Sequence, residues 1–176
     1  LSRLVVSCSA AALCAALFVL PGYGSQDGAD WLVAAEPQGC RSCHLSQDPP
    51  IESAALSLSG LPETWASGRE YPLTISLEDP ALQNAGFMLI VRSEQEASGE
   101  LSAVDEQRVQ INGAQARSTW NASFPESPGR AQWQLTWTAP ASLNAPLTFE
   151  LWGNAGNFDL SPLEDRIYRG TWTVSP

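Results

Sequence analysis

Tyr71-Pro72-Leu73-Thr74-Ile75-Ser76-Leu77-Glu78 places Tyr71, Leu73, Ile75 and Leu77 on one side of an extended chain and Thr74, Ser76 and Glu78 on the other. A period of two is that of a strand with one face buried and one wet. The same alternation recurs outward from this stretch. Phe87, Leu89 and Val91 oppose Met88, Ile90 and Arg92; Trp133, Leu135 and Trp137 oppose Gln132, Gln134 and Thr136; Leu147, Phe149 and Leu151 oppose Thr148 and Glu150. Near the end, Tyr168, Trp172 and Val174 oppose Arg169, Thr171 and Thr173. Weaker strands are expected at 56–58, at 109–111 and around Trp120. Turn signals separate these runs at Asp79-Pro80, Asn112-Gly113, 125–129, Ala139-Pro140 and 153–162. No stretch after residue 25 keeps a helical period over several turns. The pattern predicts an all-β fold, an antiparallel β-sandwich of about seven to nine short strands.

The 176 residues suffice for one domain with its own core. Charged residues are 16% and seven Trp are present, so apolar burial can offset chain entropy. The formal charge is −10, and all nine basic residues are Arg. Nucleic acid and anionic membranes require a clustered positive face and are not expected partners. Electrostatic docking is expected on a basic surface, such as that of a basic redox protein.

Residues 4–20 are uncharged and apolar behind Arg3, and Pro21-Gly22-Tyr23-Gly24 follows. Residues 1–24 therefore read as a secretory signal peptide, with a retained anchor as the alternative. Residues 25–52 read as a loop-rich arm and 53–176 as the sandwich. The protein is expected in the periplasm or outside the cell, free of the membrane once the signal is removed.

Cys8 and Cys14 fall in the signal segment, which leaves Cys40 and Cys43. These stand in Cys40-Arg41-Ser42-Cys43-His44, which contains the single His of the chain. Two thiols at this spacing reach the two vinyl groups of one porphyrin, and the adjoining imidazole reaches the iron; the motif reads as a c-type haem attachment site. One covalent haem c is expected, with Cys40 and Cys43 as thioether residues and His44 as proximal ligand. Other readings of the motif compete. Zinc needs four ligands and finds no second Cys or His pair. A redox dithiol needs a helix N-terminus, which an arm containing Gly28, Gly39 and Pro49-Pro50 does not promise. A plain disulfide remains open. For the opposite face of the iron, Met88 is the one strong side-chain candidate; its parity also suits a packing residue covered by the arm. No acid–base or nucleophile constellation appears, so an enzyme is not expected. Asn154, Asn157, Asp159, Glu164 and Asp165 offer oxygen ligands of the kind calcium takes, and read better as turn formers.

The region from Cys40 onward resembles the bacterial Reeler-like exported domains often described as choice-of-anchor V proteins. The resemblance runs through Gly39-Cys40-Arg41-Ser42-Cys43-His44, Gly60-Leu61-Pro62, Gly68-Arg69-Glu70-Tyr71, Gly86-Phe87, Trp137-Thr138-Ala139-Pro140, Gly153-Asn154-Ala155-Gly156-Asn157 and Asp165 ahead of Ile167-Tyr168. It implies a Reeler or immunoglobulin-like sandwich in a surface or periplasmic setting. Relatives often carry Thr-His-Thr where this chain has Thr119-Trp120-Asn121, so bis-His coordination is not expected. Three functions follow as expectations: an exported monohaem c-type electron-transfer protein, a haem-based small-ligand sensor with an open distal site, or a non-enzymatic Reeler-like binding or adhesion module in which Cys40 and Cys43 form a disulfide.

Overall fold

The computed structural model describes residues 39–44, 48–95, 97–142, 144–159 and 161–176. The signal segment with Cys8 and Cys14, and residues 25–38 of the arm, lie outside the described residues. Nine strands form: β1 (Leu56–Ser59), β2 (Glu70–Glu78), β3 (Asn84–Arg92), β4 (Glu100–Ala103), β5 (Val109–Asn112), β6 (Gln115–Ser118), β7 (Arg130–Thr138), β8 (Leu147–Gly156) and β9 (Arg166–Val174). They make two antiparallel sheets, ordered β1-β2-β7-β4 and β5-β6-β3-β8-β9. Two short 3₁₀ turns, Gly39–Ser42 and Trp120–Ala122, are the helical elements among the described residues, and neither is long enough to cross a membrane.

The alternating residues meet between the sheets. Leu73, Ile75, Leu77, Leu89, Trp133, Leu135, Trp137, Leu147, Phe149 and Leu151 are all essentially inaccessible. Trp137 is the centre of the aromatic packing. It stacks on Tyr71 with centroids 5.4 Å apart and meets Phe149 edge-on at 5.0 Å, while its indole N–H donates to the Ser98 carbonyl at 3.0 Å. Edge-to-face and offset contacts add to the area term through the ring quadrupoles.

The strand expected around Trp120 is not there. The neighbouring chain instead pairs with β3 at 115–118, as Met88↔Arg117 and Ile90↔Gln115, and Trp120 opens an exposed 3₁₀ turn. A large aromatic has high strand propensity, yet that propensity reflects packing on a half-buried face, and Trp120 has no such face beneath it.

Asp79, at the β2–β3 turn, is 1% exposed and draws β9 onto the turn. Its carboxylate accepts from the Ala81 N–H at 2.9 Å, the Arg166 guanidinium at 2.9 Å and the Tyr168 hydroxyl at 2.7 Å. Burial, then the hydrogen bond to Asp79 and its charge, push the Tyr168 phenol from 10.0 up to about 12, against the opposing pull of Arg166. A phenol whose folded pKa lies above its unfolded one stabilises the fold fully below pH 10, and that contribution is lost as pH rises toward 12. Denaturant titrations across pH 9 to 12 should show stability falling over that window. The fall should be shallower in Tyr168→Phe; an identical slope would remove Tyr168 as its source.

Candidate functional site

Parity sends Met88 and Ile90 of β3 and Trp152 of β8 to the outer face of the five-stranded sheet, a position normally left to water. All three are buried nonetheless, and with Ile167 they form a second apolar cluster against which Cys40 packs. The arm is the cover. Gly39–Ser42 folds as a 3₁₀ turn, and the Cys40 carbonyl accepts from the His44 N–H at 2.9 Å and from the Cys43 N–H at 3.3 Å. Gly39 has φ of +50° and lies against the indole of Trp152, so close that a β-carbon there would be 2.4 Å from the ring. Only glycine meets both demands. After the turn, Ile51 joins the edge of β9 as a parallel bridge to Tyr168, with Ile51 N–H donating to Ile167 at 2.7 Å and Arg169 N–H to Ile51 at 3.0 Å.

The two thiols are free and differ in setting. Cys43 is exposed, whereas Cys40 is half-buried in the contact with the second cluster. That burial, with a smaller effect of Cys43, pushes the Cys40 thiol from 9.0 up to about 12.

His44 is held from the far end of the chain. Its Nδ1 lies 2.5 Å from Oδ2 of Asp165, a carboxylate only 6% exposed, while the His44 side chain is 32% exposed. A carboxylate can only accept, so Nδ1 carries the proton and donates. Asn154 of β8, also buried, donates through Nδ2 to the same carboxylate oxygen at 3.4 Å. The same Nδ2 lies 3.5 Å from Nε2 of His44, a second long contact.

The structure thus brings Cys40, Cys43 and His44 together on one turn, as the spacing implies, and adds Asp165 and Asn154 as partners of His44. Both partners lie in the series of residues that carries the family resemblance, although spacing alone gave them no role beyond a turn. The other members of that acidic loop do form turns: Asn157 caps the Asp159 N–H at 3.1 Å and Asp159 caps the Ser161 N–H at 2.8 Å. Met88 lies 2% exposed beneath Cys40, in the packing position that its parity allowed. Among the described residues no group of three His, Cys, Asp or Glu side chains is placed to hold a metal ion.

No family model and no curated protein matches the chain. Solved structures do. The Reelin-N domain of F-spondin superposes with a TM-score of 0.52 at 19% identity, covering 78% of this chain and 95% of that one. The human F-spondin reeler domain gives 0.50 at 18% identity, over 72% and 94%. The fold is Reeler-like. In this Reeler-like sandwich the Cys40–His44 turn sits on the outer face of the five-stranded sheet, outside the main core.

The donor set fits a haem. Two thiols separated by two residues, and an adjoining imidazole held by a carboxylate, are the groups such attachment uses. The cleft beside Asp165, between Pro49, Ile51 and Ile167, has a volume of about 250 Å³, below the ~300–1,000 Å³ of ordinary ligand pockets.

Proposed function

We propose that this chain is an exported, non-enzymatic Reeler-like binding module whose arm carries one haem c, with Cys40 and Cys43 as thioethers and His44 as proximal ligand. The observation that carries the reading is the Asp165–His44 pair. Imidazoles that bind metals through one nitrogen almost always donate the other N–H to a carboxylate or carbonyl, which fixes the tautomer and raises the basicity of the ligating atom. Here a buried carboxylate spends itself on the one His of the chain, through Nδ1. Each thiol would add across a vinyl group: its S–H bond and the C=C π bond break, one C–S and one C–H bond form, and no oxidant is consumed. Bound there, haem supplies a redox-active iron. The protein orients His44 through Asp165 and Asn154, and the charge of −10 suits electron exchange with a basic partner.

A second reading is a binding or adhesion module without haem, with Cys40 and Cys43 as a structural pair. It is favoured by the seat of Cys40, whose side chain packs against the second cluster as a structural residue does. Intact-mass measurement after co-expression with c-type haem maturation machinery separates the two. We expect a haem adduct that resists acid–acetone extraction and disappears in Cys40→Ser/Cys43→Ser. A chain two hydrogens lighter than the dithiol would instead establish the disulfide, and the haem reading would fall.

A further inference from the structure

Asn84, Gly156 and Asp165 stand in one row across β3, β8 and the entrance to β9. Asn84 pairs with Gly156, and Ala155↔Arg166 puts Asp165 opposite Gly156 one step beyond the last β8–β9 pair. Parity turns this row to the outer face of the sheet, the face of Met88 and Trp152. Gly156, its middle member, has no side chain, and both neighbours reach over the place one would take. A β-carbon on Gly156 would lie 2.2 Å from Oδ1 of Asn84 and 3.1 Å from Oδ1 of Asp165. An amide oxygen and a carboxylate oxygen therefore flank one point above bare backbone.

A third oxygen comes from Asn154, two residues back on β8 and on the same face. Asn154 is 7% exposed, and its Nδ2 faces Oδ2 of Asp165 at 3.4 Å, so its amide lies beside the same carboxylate. Its Oδ1 is buried and has no hydrogen-bond partner among the described residues, and the same holds for Oδ1 of Asn84. Buried acceptors are normally met, and two unmet ones beside a single carboxylate point to a ligand that all three oxygens share. The His44 pair does not compete for it: Oδ2 of Asp165 takes the His44 N–H, and Oδ1 faces Gly156.

We infer that Asn84, Asn154 and Asp165 hold a calcium ion over Gly156, with water completing its coordination. All three contribute oxygen acceptors, and calcium takes carboxylates, Asn carbonyls and waters together in flexible geometry, whereas magnesium demands a near-ideal octahedron. Affinity follows the number of charged ligands. One carboxylate among three puts the site in the weak range of extracellular modules, ~0.1–1 mM. Asn157 and Asp159 are not part of it, since their side chains cap the turn that follows β8. The inference does not depend on the haem reading of Cys40–His44.

The test uses the full chain, stripped of metal with a chelator, and calcium alone as the probe. At ~10 mM calcium the thermal midpoint is expected to rise about 3 °C or more above its value in equal magnesium. A chain with a charge of −10 gathers divalent ions generally. Asn84→Ala changes no charge, so it keeps that general effect and should lose the calcium-specific rise. Asn84→Asp supplies a second carboxylate. It should tighten calcium binding roughly tenfold by calorimetry and lower the midpoint in chelator, where two like charges face each other. A calcium rise no larger than that of magnesium would overturn the inference. So would a rise undiminished in Asn84→Ala, which would put the ion elsewhere on the acidic surface. An Asn84 amide that serves only as a donor to Asp165 would make Asn84→Ala less stable in chelator and leave both proteins indifferent to calcium, and that result too would overturn it.

Discussion

Asp79→Ala is expected to lower the unfolding free energy by about 2–4 kcal/mol, read as a shift in the denaturant midpoint at unchanged slope. The carboxylate is the common acceptor for Ala81 N–H, Arg166 and Tyr168, and it is sealed from water. Removing it strands the Tyr168 hydroxyl, while water can reach the N–H of exposed Ala81, and an unmet buried donor costs more than the bond itself contributes. The Arg166 side chain is half-exposed, so water takes over its share, and Arg166→Ala should cost well under the Asp79 change. Equal losses for the two variants would show that the ion pair matters and the buried hydroxyl does not.

Gly39→Ala is expected to lift the arm off the sandwich while leaving the sandwich folded. Its new methyl would lie 2.4 Å from the Trp152 ring, at a φ that L-residues avoid, and the indole is pinned by its N–H to Glu150 at 3.2 Å and by Arg169 over its face at 5.2 Å. Something has to move, and the turn, packed against the sheet through Cys40, yields more readily than a core-facing strand. Alkylation at pH 8 reports the movement. In the haem-free parent Cys43 should react at least tenfold faster than Cys40, because Cys40 is half-buried and its thiol stays protonated well above pH 9. In Gly39→Ala the two rates should converge. Thermal unfolding should change little, since neither Gly39 nor Cys40 belongs to the main core. If Cys40 stays protected in the variant, the Trp152 contact does not hold the arm.

The long strands were legible because each has a face that repeats strictly, as β2 does from Tyr71 to Leu77. β4 and β6 escaped the sequence reading for a physical reason. Glu100–Ala103 buries Leu101 alone and Gln115–Ser118 buries Ala116 alone, so neither run has a second large apolar residue to make a period visible. The outward burial of Met88 and Ile90 was foreseeable only in part. Parity put them on the outer face, and the arm that covers them contacts β8 from more than a hundred residues away in sequence. The same separation hid the partners of His44. The motif states its own thiols and imidazole through local spacing, but Asp165 is 121 residues distant and Asn154 110, and a carboxylate in an Asx-rich loop looks like any other turn former. Asp79 was read as a turn residue, which it is; nothing local to Asp79-Pro80 announces a tyrosine 89 residues on.

The opposite sheet turns a very different surface outward. Ser57, Ser76 and Gln132 lie side by side across β1, β2 and β7, and Ser59, Thr74 and Gln134 form the next row; Gln132 and Ser76 are joined at 2.8 Å. Hydroxyls and amides without charge make up this surface between the strand ends. The molecule therefore has a front and a back: the arm's turn, with Cys43 exposed, lies on one side, and a neutral, hydrogen-bonding wall faces the other way, beyond the ~10 Å that separates the sheets.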